Sequence, residues 1–257
     1  MITITSQDNK IYRQCIQLAQ KKYRDRLGLY IAEGEKLVRE ALQAGLARTV
    51  VLREGFEGAL DREGTAFVFM TGNLFSKIAQ TETSQGILAI VEEPVWTRQA
   101  FMEAVSGKDS KVLVLDRLQD PGNIGTIIRT ADAAGYAGMI VMKGSGDIFS
   151  PKVIRAAAGS LLRLSVYKAQ DEGEALDILE VAGKRLIGTT PEAGIAYSQA
   201  DWSGGIALII GNEGNGMSDS FKAATQTNVR IPMNDKVDSL NAAVAAGILI
   251  YESIKER

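Results

Sequence analysis

Histidine is absent from this 257-residue chain. That removes the usual general base at neutral pH and the commonest metal ligand, which argues against metalloenzymes and histidine-dependent nucleophilic triads. Cys15 is the only cysteine, so an intramolecular disulfide and a cysteine-cluster metal site are excluded, and a reducing cytoplasm fits. No apolar run approaches the roughly 20 residues of a membrane helix. The opening MITITSQDNK lacks a basic stretch followed by an apolar one, so no secretion signal is expected. Neither sign of charge is in much excess, and a net charge of −2 does not advertise a nucleic-acid partner. What is present is an ordinary soluble composition, 46% apolar and 23% charged. At roughly 150 residues per domain, the length suggests two units.

The charge is nonetheless uneven. Residues 1–30 hold Lys10, Arg13, Lys21, Lys22, Arg24 and Arg26 against Asp8 and Asp25. Such a patch suits a phosphate backbone, and equally a solvated helix face. Periodicity over the first 91 residues reads as helix 9–22, strand 28–32, helix 34–44, strands 48–52 and 65–70, helix 73–80 and strand 86–91, a small α/β domain. The stretch 92–110 breaks the pattern; it reads as a boundary near Pro94 followed by a linker, 94–109, with one or two helical turns. From 110 to 257, uniformly apolar strands such as KVLVLD and GIALIIG alternate with helices. This alternation predicts a parallel sheet covered on both faces, with ligands beyond the carboxyl ends of its strands.

Three blocks fall in loops at such ends. In DPGNIGTIIRTADAAG (120–135), Asn123 is placed to cap a helix whose apolar stripe is Ile124, Ile127, Ile128 and Ala131. Arg129 lies off that stripe, either a surface residue or one reaching back toward the strand ends. In IIGNEGNGMS (209–218), three glycines flank Glu213 without the Gly-Lys-Ser/Thr ending of a Walker loop or the order of a dinucleotide fingerprint. A carboxylate there suits a cationic or neutral ligand better than a phosphate, and a plain tight turn is the simpler alternative. In IPMNDKVDSLNAAVAAG (231–247), Ser239 is placed to cap an apolar helix, and Asn241 is a polar amide that needs partners if buried.

Together these blocks resemble the three signature motifs of the SpoU (TrmH-type) family of RNA ribose 2′-O-methyltransferases, in the SPOUT superfamily. The segment PKVIRAAAGSLLRLSV is similar to the stretch between the first two motifs. RDRLGLYIAEGEKLVREAL and TETSQGILAIV look like the family's RNA-substrate-binding domain. One departure is visible: Asn234 and Asp235 stand where family members usually carry glycine. The resemblance implies an RNA-binding domain over 1–93, a linker over 94–109 and a methyltransferase domain over 110–257, closed by a trefoil knot. General topology rules would not have suggested a knot.

The resemblance also implies methyl transfer from S-adenosylmethionine to an RNA ribose, without metal or membrane, in a cytoplasmic homodimer. By family position, Thr189, Gly211, Ile231 and Leu240 hold the cofactor, while Asn123, Arg129, Glu213, Ser239 and Asn241 form the reactive centre. Arg24 and Arg26 are expected to contact RNA. A guanidinium titrates above about 12, so Arg129 reads as a phosphate clamp and charge stabiliser rather than a base. Ribosomal RNA is the expected substrate. Transfer RNA, an antibiotic-resistance role, a non-catalytic RNA-binding factor and a small-molecule methyltransferase are the alternatives.

Overall fold

The computed structural model describes residues 2–58, 60, 64–190, 194–237 and 239–255. The chain divides into two compact units, Met1–Pro94 with Asp147–Leu162, and Val95–Gly146 with Arg163–Arg257.

In the first unit, β1 (Thr3–Ile4) leads to α1 (Lys10–Leu18), whose amino end is capped by Asn9, its Oδ1 accepting from the Ile11 N–H at 2.8 Å. Where periodicity predicts one helix over 9–22, the chain breaks after Ala19 and restarts as α2 (Lys21–Leu27), which stops at Gly28 in the left-handed region. Then follow β2 (Leu29–Glu33), α3 (Glu35–Gln43), β3 (Ala47–Arg53), β4 (Ala66–Met70), α4 (Gly72–Ile78) and β5 (Ile87–Glu92). The strands lie in the order β1-β4-β3-β5-β2; β1, β4 and β3 are parallel, while β5 runs antiparallel to both β3 and β2. Tyr12, Cys15 and Leu18 of α1 and Leu74, Phe75 and Ile78 of α4 bury one face of this sheet. Burial pushes the Cys15 thiol up to about 12, which makes it an inert core residue.

The second unit opens with α5 (Arg98–Ala104), capped by Thr97. Its Phe101 is fully buried in the unit's core, so the stretch 94–109 is packed structure as well as a connection. Next come β6 (Val112–Leu115), α6 (Pro121–Ala133) and β7 (Gly138–Met142). The chain then contributes α7 (Pro151–Ala157) to the first unit and, after a 3-10 turn over Ser160–Leu162, returns as β8 (Ser165–Ala169). The remainder is α8 (Glu172–Val181), β9 (Arg185–Thr189), β10 (Ile195–Ala196), β11 (Ile206–Ile210), α9 (Asp219–Ala224), β12 (Thr227–Arg230) and α10 (Ala242–Ser253). The strand order is β10-β12-β9-β11-β6-β7-β8, with every neighbouring pair parallel. Helices on both faces explain why β6, β7 and β11 are buried at every position. From β6 the order runs outward through β7 and β8, then resumes on the other side. The β6/β11 boundary is therefore a switch point, where loops diverge and ligands fit.

Candidate active site

β6 and β11 end side by side, Ile210 pairing with Leu115. Beyond β6, Asp120 is the N-cap of α6, its Oδ1 accepting from the Asn123 N–H at 2.8 Å, with Pro121 in the first turn. This displaces the cap expected at Asn123. A proline without an N–H suits the first helical position, and the aspartate before it satisfies the free amide behind it. Asn123 thus sits one turn inside α6, with its side chain free for other work.

That work is visible. Asn123 Nδ2 donates to Glu213 Oε1 at 3.3 Å, and Asn123 Oδ1 accepts from Asn241 Nδ2 at 2.8 Å. Asn241 is in turn the N-cap of α10, its Oδ1 accepting from the Ala243 N–H at 2.9 Å and the Val244 N–H at 3.3 Å. The helix therefore starts at Ala242, and Ser239 is not its cap. The polar amide that looked misplaced inside an apolar helix is the residue that ends the loop. Three blocks far apart in sequence meet in one chain of amides and a carboxylate.

Glu213 is held from below as well. Its carboxylate accepts from the Asp120 N–H at 3.0 Å and the Gln119 N–H at 3.1 Å. Burial alone would raise its pKa, but these backbone donors, its own N–H and the Asn123 amide outweigh that and hold the carboxyl below its usual value. Its loop is closed by reciprocal Asn212–Gly216 backbone hydrogen bonds of 3.0 and 2.9 Å, with Gly216 at φ +66°. Gly211 admits no side chain, because a Cβ there would lie 2.4 Å from Gly216 C and Met217 N.

The other expected site residues are placed without mutual contacts. Arg129 is exposed on α6, with no hydrogen-bond or ion-pair partner among the described residues. Ser239 is exposed in the loop before Asn241. Thr189, Gly211 and Ile231 stand at the carboxyl ends of the adjacent strands β9, β11 and β12, and the Thr189 hydroxyl donates to Ile209 O at 3.0 Å. Leu240 is 36% exposed. Asn234 and Asp235, which stand where glycine is usual in the family, both have negative φ. Asn234 closes a turn, its Oδ1 accepting from the Lys236 N–H at 3.1 Å and its backbone oxygen from the Val237 N–H at 2.9 Å.

In the first unit the expectation for Arg24 is corrected. Its side chain is buried, Nη1 donating to Leu18 O at 2.6 Å and the guanidinium paired with Asp147, so no surface remains for RNA. A cation that takes the inward face of its helix must find a carboxylate there. Arg26 is exposed, its guanidinium 4.9 Å from the Tyr23 ring centre, with Lys22 at 4.8 Å from the same ring.

Sequence reasoning passed over Asp116, Gln119, Asp120 and Asn212. Asp116 is fully buried and accepts from the Ser218 N–H at 2.5 Å, and Asn212 Nδ2 donates to Arg117 O at 2.8 Å. The available signals were an aspartate ending an apolar strand and an Asp-Pro pair opening a helix.

Residues 110–251 match the SpoU rRNA Methylase family, and residues 9–89 match the MRM3-like substrate binding domain. The 23S rRNA (guanosine(2553)-2′-O)-methyltransferase RlmP of Bacillus subtilis is 34% identical over 253 residues, 98% of either chain. The 23S rRNA (uridine(2479)-2′-O)-methyltransferase of Streptomyces viridochromogenes is 30% identical over 268 residues, 99% of this chain and 92% of the other. The crystal structure of an AdoMet-bound rRNA methyltransferase from Sinorhizobium meliloti superposes with a TM-score of 0.87 at 30% identity, over 98% of this chain and 96% of that one.

Proposed function

This chain belongs to the SpoU rRNA Methylase family, and from that premise we propose that it is an S-adenosylmethionine-dependent methyltransferase acting on a ribose 2′-hydroxyl of ribosomal RNA. The observation that carries the reading is the chain Asn241–Asn123–Glu213, which ties all three signature motifs together beside the switch point. The two 23S rRNA enzymes named above act on different bases, a guanosine and a uridine, so family membership leaves the target nucleotide open.

The residues present fit the cofactor. Gly211 keeps the strand end narrow, and the backbone N–H groups of Ile231 and Leu240 make no hydrogen bond among the described residues. They are available to a ligand held by main chain at the ends of β9, β11 and β12. When bound, S-adenosylmethionine supplies a methyl group on a positively charged sulfur. Glu213, ionised at neutral pH, favours positive charge nearby, yet its lowered pKa makes it a poor proton acceptor. It fixes Asn123 and the start of α6. Arg129 has its whole fork free to clamp the phosphate beside the target ribose and to stabilise negative charge developing on the 2′-oxygen. The hydroxyl proton leaves to a phosphate oxygen or water. Ser239 and Asn241 orient the ribose and the loop.

Two features support the remaining parts of the reading. After β12 the chain returns to pack α10 against α6, the path expected of the trefoil knot. Val244, Gly247, Tyr251 and Ile254 form one stripe on α10; Val244 and Tyr251 are each 53% exposed, and a Cβ on Gly247 would meet nothing within 4 Å. An apolar stripe with a bare glycine suits close approach by a second copy of the chain, hence a homodimer. The bulk of the exposed cations of α2 then belongs to substrate binding in the cytoplasm.

The test is incubation with methyl-labelled S-adenosylmethionine and total RNA lacking the modification, followed by size separation and nuclease mapping. Label in one ribosomal nucleotide, resistant to alkaline cleavage on its 3′ side, is expected. Label confined to transfer RNA would overturn the substrate, and cofactor binding without any RNA label would leave an RNA-binding factor.

A further inference from the structure

Arg117, between β6 and α6, has φ +59°, a left-handed conformation that among described non-glycine residues only Ala158 shares. Glycine or asparagine takes this geometry with less strain. The conformation is imposed by three hydrogen bonds. The Arg117 N–H donates to Ser145 Oγ at 3.1 Å, and its backbone oxygen accepts from Asn212 Nδ2 at 2.8 Å and Gln119 Nε2 at 2.9 Å. Asn212 and Gln119 also frame the active site, the first preceding Glu213 and the second donating its N–H to the Glu213 carboxylate. The backbone of Arg117 is thus fixed to the walls of the reactive centre.

Its side chain is anchored at one point. Nε donates to Asp116 Oδ1 at 3.0 Å, while the other oxygen of that buried carboxylate takes the Ser218 N–H. The terminal nitrogens Nη1 and Nη2 have no partner among the described residues, and the side chain is 40% exposed. A guanidinium braced at Nε with its outer fork free is a preorganised receptor for a phosphate.

We infer that Arg117 holds a backbone phosphate of the RNA strand flanking the target nucleotide, a positioning role that rests on the methyltransferase reading above and adds a second guanidinium to Arg129. Backbone strain at this position is the cost of placing a cation there, as often occurs where a site is preorganised. The competing role is purely structural, neutralisation of Asp116.

The Arg117→Asn variant separates the two, because asparagine relieves the backbone while removing the guanidinium. Thermal melting, S-adenosylmethionine affinity, steady-state kinetics on unmodified ribosomal RNA and the salt dependence of RNA binding would be compared with wild type. We expect cofactor affinity to hold and melting to fall, because buried Asp116 loses its counter-charge, while KM for RNA rises about tenfold, the scale of one charge-assisted hydrogen bond, and the log–log salt slope becomes shallower by about 0.7. Arg117→Lys should restore part of the RNA affinity. An unchanged KM and salt slope in Arg117→Asn, at whatever melting temperature, would overturn the inference, as would a loss of cofactor affinity with RNA binding intact. If the wild-type protein labels no RNA, the methyltransferase reading fails, while the salt slopes still decide Arg117.

Discussion

The two sheets of this protein put their loops to different use. In the second unit every neighbouring pair of strands is parallel, so all carboxyl ends open on one edge, and the loops after β6 and β11 meet there with the start of α10. In the first unit β5 runs antiparallel to β3 and β2, which distributes the loops between two edges. A parallel sheet concentrates polar loop residues at one place and suits chemistry. A mixed sheet spreads them and suits a broad binding surface. The charged residues follow the same division: in the first unit the buried Arg24–Asp147 pair is architecture and the exposed Arg26 belongs to the surface, whereas in the second Arg129, without a partner among the described residues, lies exposed on a helix that starts at the edge where the three blocks meet.

The contrast can be broken or sharpened by substitution. The largest change in stability is expected from Asp147→Ala, which leaves Arg24 buried without its counter-charge and should cost about 3 kcal/mol; urea unfolding that matches wild type would show that the pair is not structural. The largest catalytic change is expected from Arg129→Ala, which should keep cofactor affinity but lose roughly 10²-fold in rate, and near-normal turnover would remove Arg129 from the chemistry. Asn241→Ala deletes both the N-cap of α10 and the link to Asn123, and should lower stability by about 1 kcal/mol together with activity. If the melt shifts while kcat stays, the amide is only a cap.

A smaller effect concerns pH. Because the folded state holds the Glu213 carboxyl below its usual value, the stabilisation is present above the unfolded value of about 4.3 and disappears as pH falls through the lower, folded one. Glu213→Gln should abolish that part of the acid sensitivity, and identical acid unfolding curves would refute the assignment. Smallest is Arg26→Ala, expected to make the salt slope of RNA binding shallower by about 0.7 without touching kcat. No change in slope would leave the basic patch of α2 as a solvated face.

Much of the second sheet was legible, since GMIVM and IALII are short runs apolar at nearly every position and bounded by turn residues, as strands covered on both sides are, and the stripe Ile124, Ile127, Ile128 and Ala131 is the buried face of α6. The helix starts were less legible. Asn123 was expected to cap α6 and Ser239 to cap α10, where Asp120 and Asn241 do so; pattern alone does not separate these residues, because each can offer an oxygen to a free amide. Arg24 was misread because its partner Asp147 lies 123 residues away, on a segment that packs with the first unit although the second unit brackets it in sequence.

The sequence by itself determined the parallel architecture and the three polar blocks at strand ends, because hydrophobic period and glycine placement are local and additive. Only the tertiary structure decided which polar residue caps and which reaches across, that Glu213 is held as a carboxylate by amides at the start of α6, and that one arginine of α2 is interior while its neighbour two residues on is not. Those outcomes depend on partners some 90 to 120 residues distant. A hydrogen bond or an ion pair contributes only when its geometry is met, and no local pattern of residues specifies that geometry.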